Sequence, residues 1–274
     1  MAKNKTIFLK HIAIPQDHGS WVFILSPLLI GIFAGGTFTQ VSFNLFITAM
    51  AAFMLRQPAT TIIKIYSKRR TRDEMPAARF WFTVYGVIGL FAFIGLTLEG
   101  YAYLLYLAVP GIAVFAWHLW LVSKREERRQ VNIEILATGV LSLTAPAAYW
   151  IGIGRYEANG WWLWILIWLQ TAASIVYAYL RLEQREQKES PDRRGMWKMG
   201  WRAALYTFFN LVSVQTLGVF GVLPSLLFIP YLVQWAETMW GVTHPATGWK
   251  PTHIGVRQLI VSTLWTVLFI LTWR

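Results

Sequence analysis

Long runs of apolar residues alternate with short polar segments along almost the whole chain. An α-helix needs about 20 apolar residues to cross the roughly 30 Å hydrocarbon core of a bilayer. The pattern therefore predicts a single all-α membrane domain over residues 1–274, polytopic, with about nine transmembrane helices. The predicted blocks are 21–38, 41–66, 80–98, 101–122, 131–153, 161–182, 203–220, 222–240 and 256–273.

Composition supports a membrane protein and excludes several kinds of chemistry. Of the 274 residues, 56% are hydrophobic and 14% are charged, whereas a soluble domain carries about 25% charged residues. The absence of cysteine excludes disulfides, thiolate catalysis and cysteine metal sites. No phosphate-binding loop, dinucleotide fingerprint or nucleophile elbow occurs, so nucleotide-driven transport and the usual hydrolases lack support.

The net charge of +12 is unevenly distributed and predicts an orientation. An excess of Lys and Arg marks cytoplasmic loops. With the N-terminus inside and the C-terminus outside, Arg155 and Arg274 are the two of 25 basic residues that do not face the cytoplasm. We therefore expect a multi-pass protein of the cell membrane that contacts membrane lipids and no nucleic acid. The positive charge is explained first by topology, and second by binding of anionic lipid or an anionic ligand. The basic segments are 67–79, 123–130, 183–202 and 241–255.

Residues 1–20 precede the first block and alternate basic and apolar residues over 3–14. Such alternation is typical of an amphipathic segment lying along a membrane surface. A full-length apolar block follows, so we do not expect a cleaved signal peptide. We predict that this segment is cytoplasmic.

Polar residues near the end of the second block are the first candidates for a site. Charged groups within membrane segments usually face a bundle interior or a wet cavity. Arg56 and Gln57 precede Pro58, which permits a kink, and Arg56, Thr60 and Lys64 are spaced by fours, so they share one helix face. Lys64 alone is equally well explained as a snorkelling cation that anchors a long helix.

The sixth block ends in a second polar stripe, formed by Tyr177, Arg181 and Arg185. These three residues are also spaced by fours and so share one helix face. We expect both stripes to converge on one cytoplasm-facing basic cavity. Guanidinium groups bind phosphate or carboxylate directly, without a metal.

Four further side chains lie near the expected mouth or in the blocks beside it. His18 is a candidate base or anion contact, and Asp17 beside it is a candidate helix cap. Glu134 lies about a turn inside block five, where it either pairs with a pocket cation or lies at the membrane interface. His118, flanked by tryptophans, is interpreted as a packed core residue.

The end of block six resembles a motif of the UbiA superfamily of intramembrane prenyltransferases. That superfamily has nine helices, a cytoplasmic N-terminus and two Asp-rich motifs at the cytoplasmic ends of helices two and six. Its second motif is roughly D-x-x-Y-A-x-x-D-x-x-x-D. The matching positions here are Ser174, Tyr177-Ala178, Arg181 and Arg185.

The first UbiA motif, N-D-x-x-D-x-x-x-D, falls on Arg56, Gln57, Thr60 and Lys64. The resemblance implies a UbiA-like bundle, but the carboxylates that hold Mg²⁺ in that superfamily are replaced by cations or neutral groups. Because Mg²⁺ needs hard oxygen ligands, the sequence predicts no metal or other cofactor and no Mg²⁺-dependent prenyl transfer.

The segment 15–21, Pro-Gln-Asp-His-Gly-Ser-Trp, resembles the P-x-x-H-G-x-W signature of the YwiC-like family of bacterial membrane proteins. Pro27 inside the first block and the Arg56-Gln57-Pro58 triplet accompany it. The resemblance implies a bacterial inner-membrane protein, and the family supplies no mechanism.

Three function classes are consistent with these features. The first is a protein, enzyme or not, whose cytoplasm-facing basic pocket binds an anionic amphiphile such as an isoprenoid, a quinone precursor or a lipid. The second is a transporter of a small organic anion, and the third is a structural or assembly factor in the membrane. The candidate ligand-binding residues are Arg56, Gln57, Lys64, Tyr177, Arg181, Arg185, His18 and Glu134.

Overall fold

The computed structural model describes residues 7–15, 19–126 and 130–273, and within these ranges the chain is helical without strands. Short 3-10 turns at Arg72–Glu74 and Ala102–Leu104 lead into the fourth and fifth helices. The helices are α1 Lys10–Ala13, α2 Ser20–Gly35, α3 Gln40–Tyr66, α4 Met75–Leu98, α5 Leu105–Lys124, α6 Val131–Ser142, α7 Thr144–Ile153, α8 Asn159–Glu186, α9 Arg193–Val219, α10 Phe228–Thr243 and α11 Pro251–Thr272.

Six helical segments in the described ranges are long and apolar enough to cross a membrane, which supports a multi-pass membrane protein. All nine predicted blocks contain helix, but the structure gives six candidate spans rather than nine. At 16 residues, α2 and α10 are each about 24 Å long, short of the hydrocarbon core. The apolar part of α9 is interrupted by Asn210 and Gln215. The six spans are Gln40–Tyr66, Arg72–Leu98, Ala102–Lys124, Val131–Ile153, Asn159–Glu186 and Pro251–Thr272.

Two predicted blocks differ from the helices observed. Block five is divided at Leu143 into α6 and α7, which together form one candidate span. Block eight was expected from Val222, but α10 begins at Phe228. Gly221 there adopts the left-handed conformation, with φ of 70°, and Pro224 follows in a turn. Both features interrupt a helix, although the side chains around them are apolar.

Helices also extend beyond the apolar blocks into the basic segments. α8 continues to Glu186, past the predicted block end at 182, and α9 begins at Arg193 rather than at 203. The Asp192 side chain accepts a hydrogen bond from the Gly195 amide and so caps α9. Hydropathy marks the depth of a segment in a bilayer, whereas caps decide where its helix begins.

The centre of the bundle depends on a close approach between α2 and α7. A Cβ atom added to Gly35 would lie 2.9 Å from the Cα of Gly152, so this contact requires glycine. The Thr37 hydroxyl donates a hydrogen bond to the Gly152 carbonyl just beyond the end of α2. Ile24 and Trp150, from the same two helices, are buried in the main core.

The segment that contains α1 packs against α3 and α4. The Gln57 amide donates to the His11 carbonyl at 2.8 Å, and the Tyr85 hydroxyl donates to the Ala13 carbonyl at 2.8 Å. Ile12 is fully buried at this contact. The apolar residues of the predicted alternation therefore form a face that packs against the protein itself.

Candidate functional site

A cavity of about 910 Å³ lies among α2, α3, α4, α5, α6 and α7, with one residue contributed by α8. We call it the large cavity. One end lies where α3 and α5 end and where α6 begins. Arg69 near that end donates to the Val122 carbonyl at 3.0 Å, which joins the ends of α3 and α5. We call this the basic end.

On α3 the cavity lining changes from apolar to polar toward the basic end. Leu45 and Phe53 line the far part, and Arg56, Gln57 and Lys64 line the near part, with Thr60 between them. The guanidinium of Arg56 lies 5.5 Å from the centre of the Phe53 ring. From Leu45 to Lys64 the lining extends about 28 Å along the helix axis.

The opposite wall shows the same polarity. His118 on α5, and Gln130 and Glu134 at α6, line the basic end. A carboxylate oxygen of Glu134 accepts a hydrogen bond from the Tyr179 hydroxyl of α8 at 2.8 Å. The cations of α3 therefore share their end of the cavity with one carboxylate and one imidazole.

The deeper lining offers a ligand few free polar groups. Three threonines line it, but each hydroxyl donates to a carbonyl of its own helix. Thr48 donates to Asn44 at 2.8 Å, and Thr138 donates to Ile135 at 2.9 Å. Thr144 donates to the Leu141 carbonyl at 2.7 Å. The far part of the large cavity is therefore apolar in effect.

Arg181 does not reach the large cavity. The residue is 1% exposed, and one guanidinium nitrogen donates to the carbonyls of Gly241 and His244 at 2.8 and 2.7 Å. The same nitrogen donates to the Gln184 side chain at 2.9 Å. The rings of Trp240 and Trp249 lie 5.4 and 5.1 Å from the guanidinium carbon, and they complete the enclosure.

Tyr177 and Arg185 face the same way as Arg181. The Tyr177 hydroxyl donates at 2.8 Å to Glu237 of α10. Glu237 also accepts two hydrogen bonds from Arg257 of α11, at 2.6 and 2.7 Å. Arg185 donates to the Trp249 carbonyl at 3.1 Å. We call Tyr177, Arg181, Gln184, Glu237 and Arg257 the polar cluster.

The structure therefore divides the predicted site between two places. Arg56, Gln57, Lys64 and Glu134 line the large cavity, whereas the α8 stripe faces α10 and α11. The expected convergence of the two stripes on a single cavity is wrong. Helical spacing places residues on one face, but the direction of that face depends on how the helices pack.

The described end of the signature segment 15–21 lines the large cavity. Its residues Asp17 and His18 lie outside the described residues. Gly19 and Ser20 line the cavity, and the Trp21 ring packs edge-on against Phe53 with 5.4 Å between the ring centres.

The sequence alone did not predict one residue of the large cavity and one ion pair of the polar cluster. His118 was interpreted as a packed core residue, but it lines the large cavity. His118 follows Gly111 by seven residues and Phe115 by three, so the three residues share one face of α5. That spacing could have placed His118 on the wall of the cavity with the other two. The Glu237–Arg257 pair was missed because its members belong to different helices, and charge alone did not predict their contact.

The arrangement defines a class: an all-helical, multi-pass membrane protein with an internal cavity that is charged at one end. Residues 14–149 match the family model of YwiC-like proteins. The uncharacterized protein YwiC of Bacillus subtilis strain 168 is 24% identical over 196 residues, which covers 70% of this chain and 74% of that protein. The chain is therefore similar to YwiC-like proteins, most clearly in its N-terminal half. No solved structure matches.

The family match and the large cavity coincide. Every lining residue except Ile175 lies within the matched range 14–149. The polar cluster, from Tyr177 to Arg257, lies entirely outside it. The candidate site therefore belongs to the part of the chain that matches the family model.

Proposed function

We propose that the large cavity binds an anionic amphiphile, such as an isoprenoid, a quinone precursor or a lipid, without Mg²⁺-dependent prenyl transfer. The headgroup lies between Arg56 and Lys64, and the tail extends toward Leu45. One observation carries the proposal: the cations of the cavity lie at the polar end of a long lining whose far part is apolar.

The lining of the cavity suits both the anionic headgroup and the apolar tail of such a ligand. Arg binds carboxylate or phosphate through paired donors and Lys through a point charge, and such charge-assisted bonds are the stronger ones in proteins. Each buried CH₂ group adds about 0.8 kcal/mol of favourable transfer free energy. Glu134 accepts from Tyr179 and carries a negative charge beside the headgroup, which favours a ligand with both acceptor and donor groups.

We also propose nine spans with the N-terminus inside, so that the basic end faces the cytoplasm of a cell membrane, and a distant UbiA-like arrangement. The support is the nine helix-containing blocks and the basic segments that follow α3, α5 and α8. Reporter fusions after Lys198 should be cytoplasmic and fusions at Arg274 external. Both reporters on one side would contradict this topology.

The ligand proposal is tested with an anionic probe and its neutral counterpart, farnesyl phosphate and farnesol, binding to purified protein in detergent. We expect the phosphate to bind at least tenfold more tightly than the alcohol. The double variant Arg56→Gln, Lys64→Gln should lose most of that preference, because it loses two charged donors worth about tenfold each.

A matched variant, Arg72→Gln, Lys188→Gln, removes two exposed cations outside the cavity and should bind like the parent protein. Chelation of Mg²⁺ should leave binding unchanged. Equal affinity for phosphate and alcohol, or equal loss in both double variants, would contradict the proposal. Organic extraction of the purified protein, followed by mass spectrometry, identifies any amphiphile that it retains.

A further inference from the structure

The outward face of α9 carries a stripe that changes from basic to apolar along the helix. Its exposed residues recur at intervals of three and four, so they form one continuous face. We call this face the α9 stripe. Its members are Arg194, Trp197, Lys198, Trp201, Arg202, Leu205, Phe208 and Phe209.

The opposite face of α9 packs inside the protein. Gly200 lies against Val242 of α10, where an added Cβ atom would come within 2.5 Å of a valine methyl. Asn210 is fully buried and donates to the Leu169 carbonyl of α8 at 3.0 Å. These contacts fix the rotation of α9 and leave the stripe pointing away from the bundle.

The length of α9 fits a helix that runs from the headgroup layer of a bilayer into its hydrocarbon core. The apolar part from Ala203 to Val219 is about 26 Å long, close to the bilayer core. The ten residues before it extend about 15 Å further, which is enough to pass through a headgroup layer of about 5–8 Å. Trp197 and Trp201, 47% and 50% exposed, lie at the boundary where aromatic belts occur.

The charges of the stripe also match an anionic surface. Arg194, Lys198 and Arg202 are exposed, and in the described part of the chain none of the three forms an ion pair with a carboxylate. The nearest acidic residue along the chain, Asp192, is occupied in capping α9. The Arg202 guanidinium carbon lies 5.7 Å from the Trp201 ring centre.

We propose that the α9 stripe is a binding site for an anionic phospholipid of the surrounding bilayer. Arg194, Lys198 and Arg202 hold its phosphate, and the acyl chains lie along Leu205 and Phe208. This site is separate from the large cavity, because no residue of α9 lines that cavity. A second copy of the chain is a poorer occupant, because pairing two such stripes would bring like charges together.

Native mass spectrometry of the detergent-purified protein tests the site with phosphatidylglycerol and phosphatidylcholine of identical acyl chains. We expect selective retention of phosphatidylglycerol. The triple variant Arg194→Gln, Lys198→Gln, Arg202→Gln should weaken that retention roughly 100-fold, because each cation near an anionic lipid contributes about a factor of five. High salt should weaken it in the parent protein as well.

Three further variants serve as controls for total charge, for tolerance of substitution on α9 and for the large cavity. Arg72→Gln, Lys124→Gln, Lys188→Gln loses the same charge from scattered exposed sites and should retain phosphatidylglycerol. Arg194→Lys, Arg202→Lys keeps the charge and should also retain it, which shows that substitution there is tolerated. Arg56→Gln, Lys64→Gln tests the large cavity and should leave this lipid bound. Equal retention by the two triple variants, or a lipid-free oligomer that protects α9, would overturn the proposal.

Discussion

On α3, Arg56 and Lys64 face a cavity of about 910 Å³, whereas on α8 Arg181 is enclosed and 1% exposed. Both helices carry a polar stripe spaced by fours that includes two cations, near the same type of basic segment. In the polar cluster, one nitrogen of Arg181 donates to two backbone carbonyls, and Arg257 donates to the Glu237 carboxylate. In the large cavity, Arg56 and Lys64 are part of the lining.

The difference shows that a charged stripe on a membrane helix has two distinct uses. At α8, Arg181 holds the C-terminal end of α10, because it donates to the carbonyls of Gly241 and His244. At α3, the stripe borders a volume large enough for a ligand. Substitutions in the polar cluster should therefore lower stability, whereas substitutions in the lining of the large cavity should weaken ligand binding.

The largest expected effect is the loss of stability in Arg181→Met. The substitution removes a buried charge with three hydrogen-bond acceptors and leaves buried carbonyls without that donor. We expect the free energy of unfolding to fall by about 3 kcal/mol or more. Thermal unfolding in detergent, followed by size-exclusion chromatography, measures it.

Arg56→Met is the matched variant for the large cavity. Its side chain is half-buried and stacks on Phe53, and a partly exposed cation contributes about 0–1 kcal/mol. We expect a small change in stability together with weaker binding of farnesyl phosphate. Similar destabilisation by the two substitutions would break the distinction between the two regions.

A smaller effect is expected from Gly241→Ala in the polar cluster. The new Cβ atom would lie 2.5 Å from Cε2 of the Tyr177 ring, so the ring must move and its hydrogen bond to Glu237 weakens. Such overpacking costs about 1–3 kcal/mol. Gly255→Ala on α11, where no atom lies within 4 Å of the added Cβ, is the control and should not destabilise the protein.

The smallest effect is expected from Thr138→Val, deep in the large cavity. The Thr138 hydroxyl already donates to the Ile135 carbonyl of its own helix, and valine has nearly the same shape. We expect stability to change by less than about 0.5 kcal/mol and farnesyl phosphate affinity by less than twofold. A tenfold loss of affinity would show that the far part of the cavity contributes polar contacts to the ligand.

Local sequence features predicted much of the helical structure and part of the candidate site. The spacing of Arg56, Thr60 and Lys64 was enough to place them on one face of α3, and all three line the large cavity. The same spacing could not show that Arg181 faces Gly241, sixty residues further along the chain. That contact depends on how α8 and α10 pack, and no local pattern records it. The ligand-binding roles of these residues remain predictions.

The docking of α1 on α3 and α4 has a consequence for how the chain is made. Gln57, Trp81 and Tyr85, whose side chains hold residues 7–13, are separated from their partners by 46, 74 and 72 positions. At a synthesis rate of about 5–20 residues per second, the last of these side chains leaves the ribosome roughly 4–15 s after the segment it holds. Until that interval ends, the apolar face around Ile12 has been translated but still lacks α4, which helps to bury it.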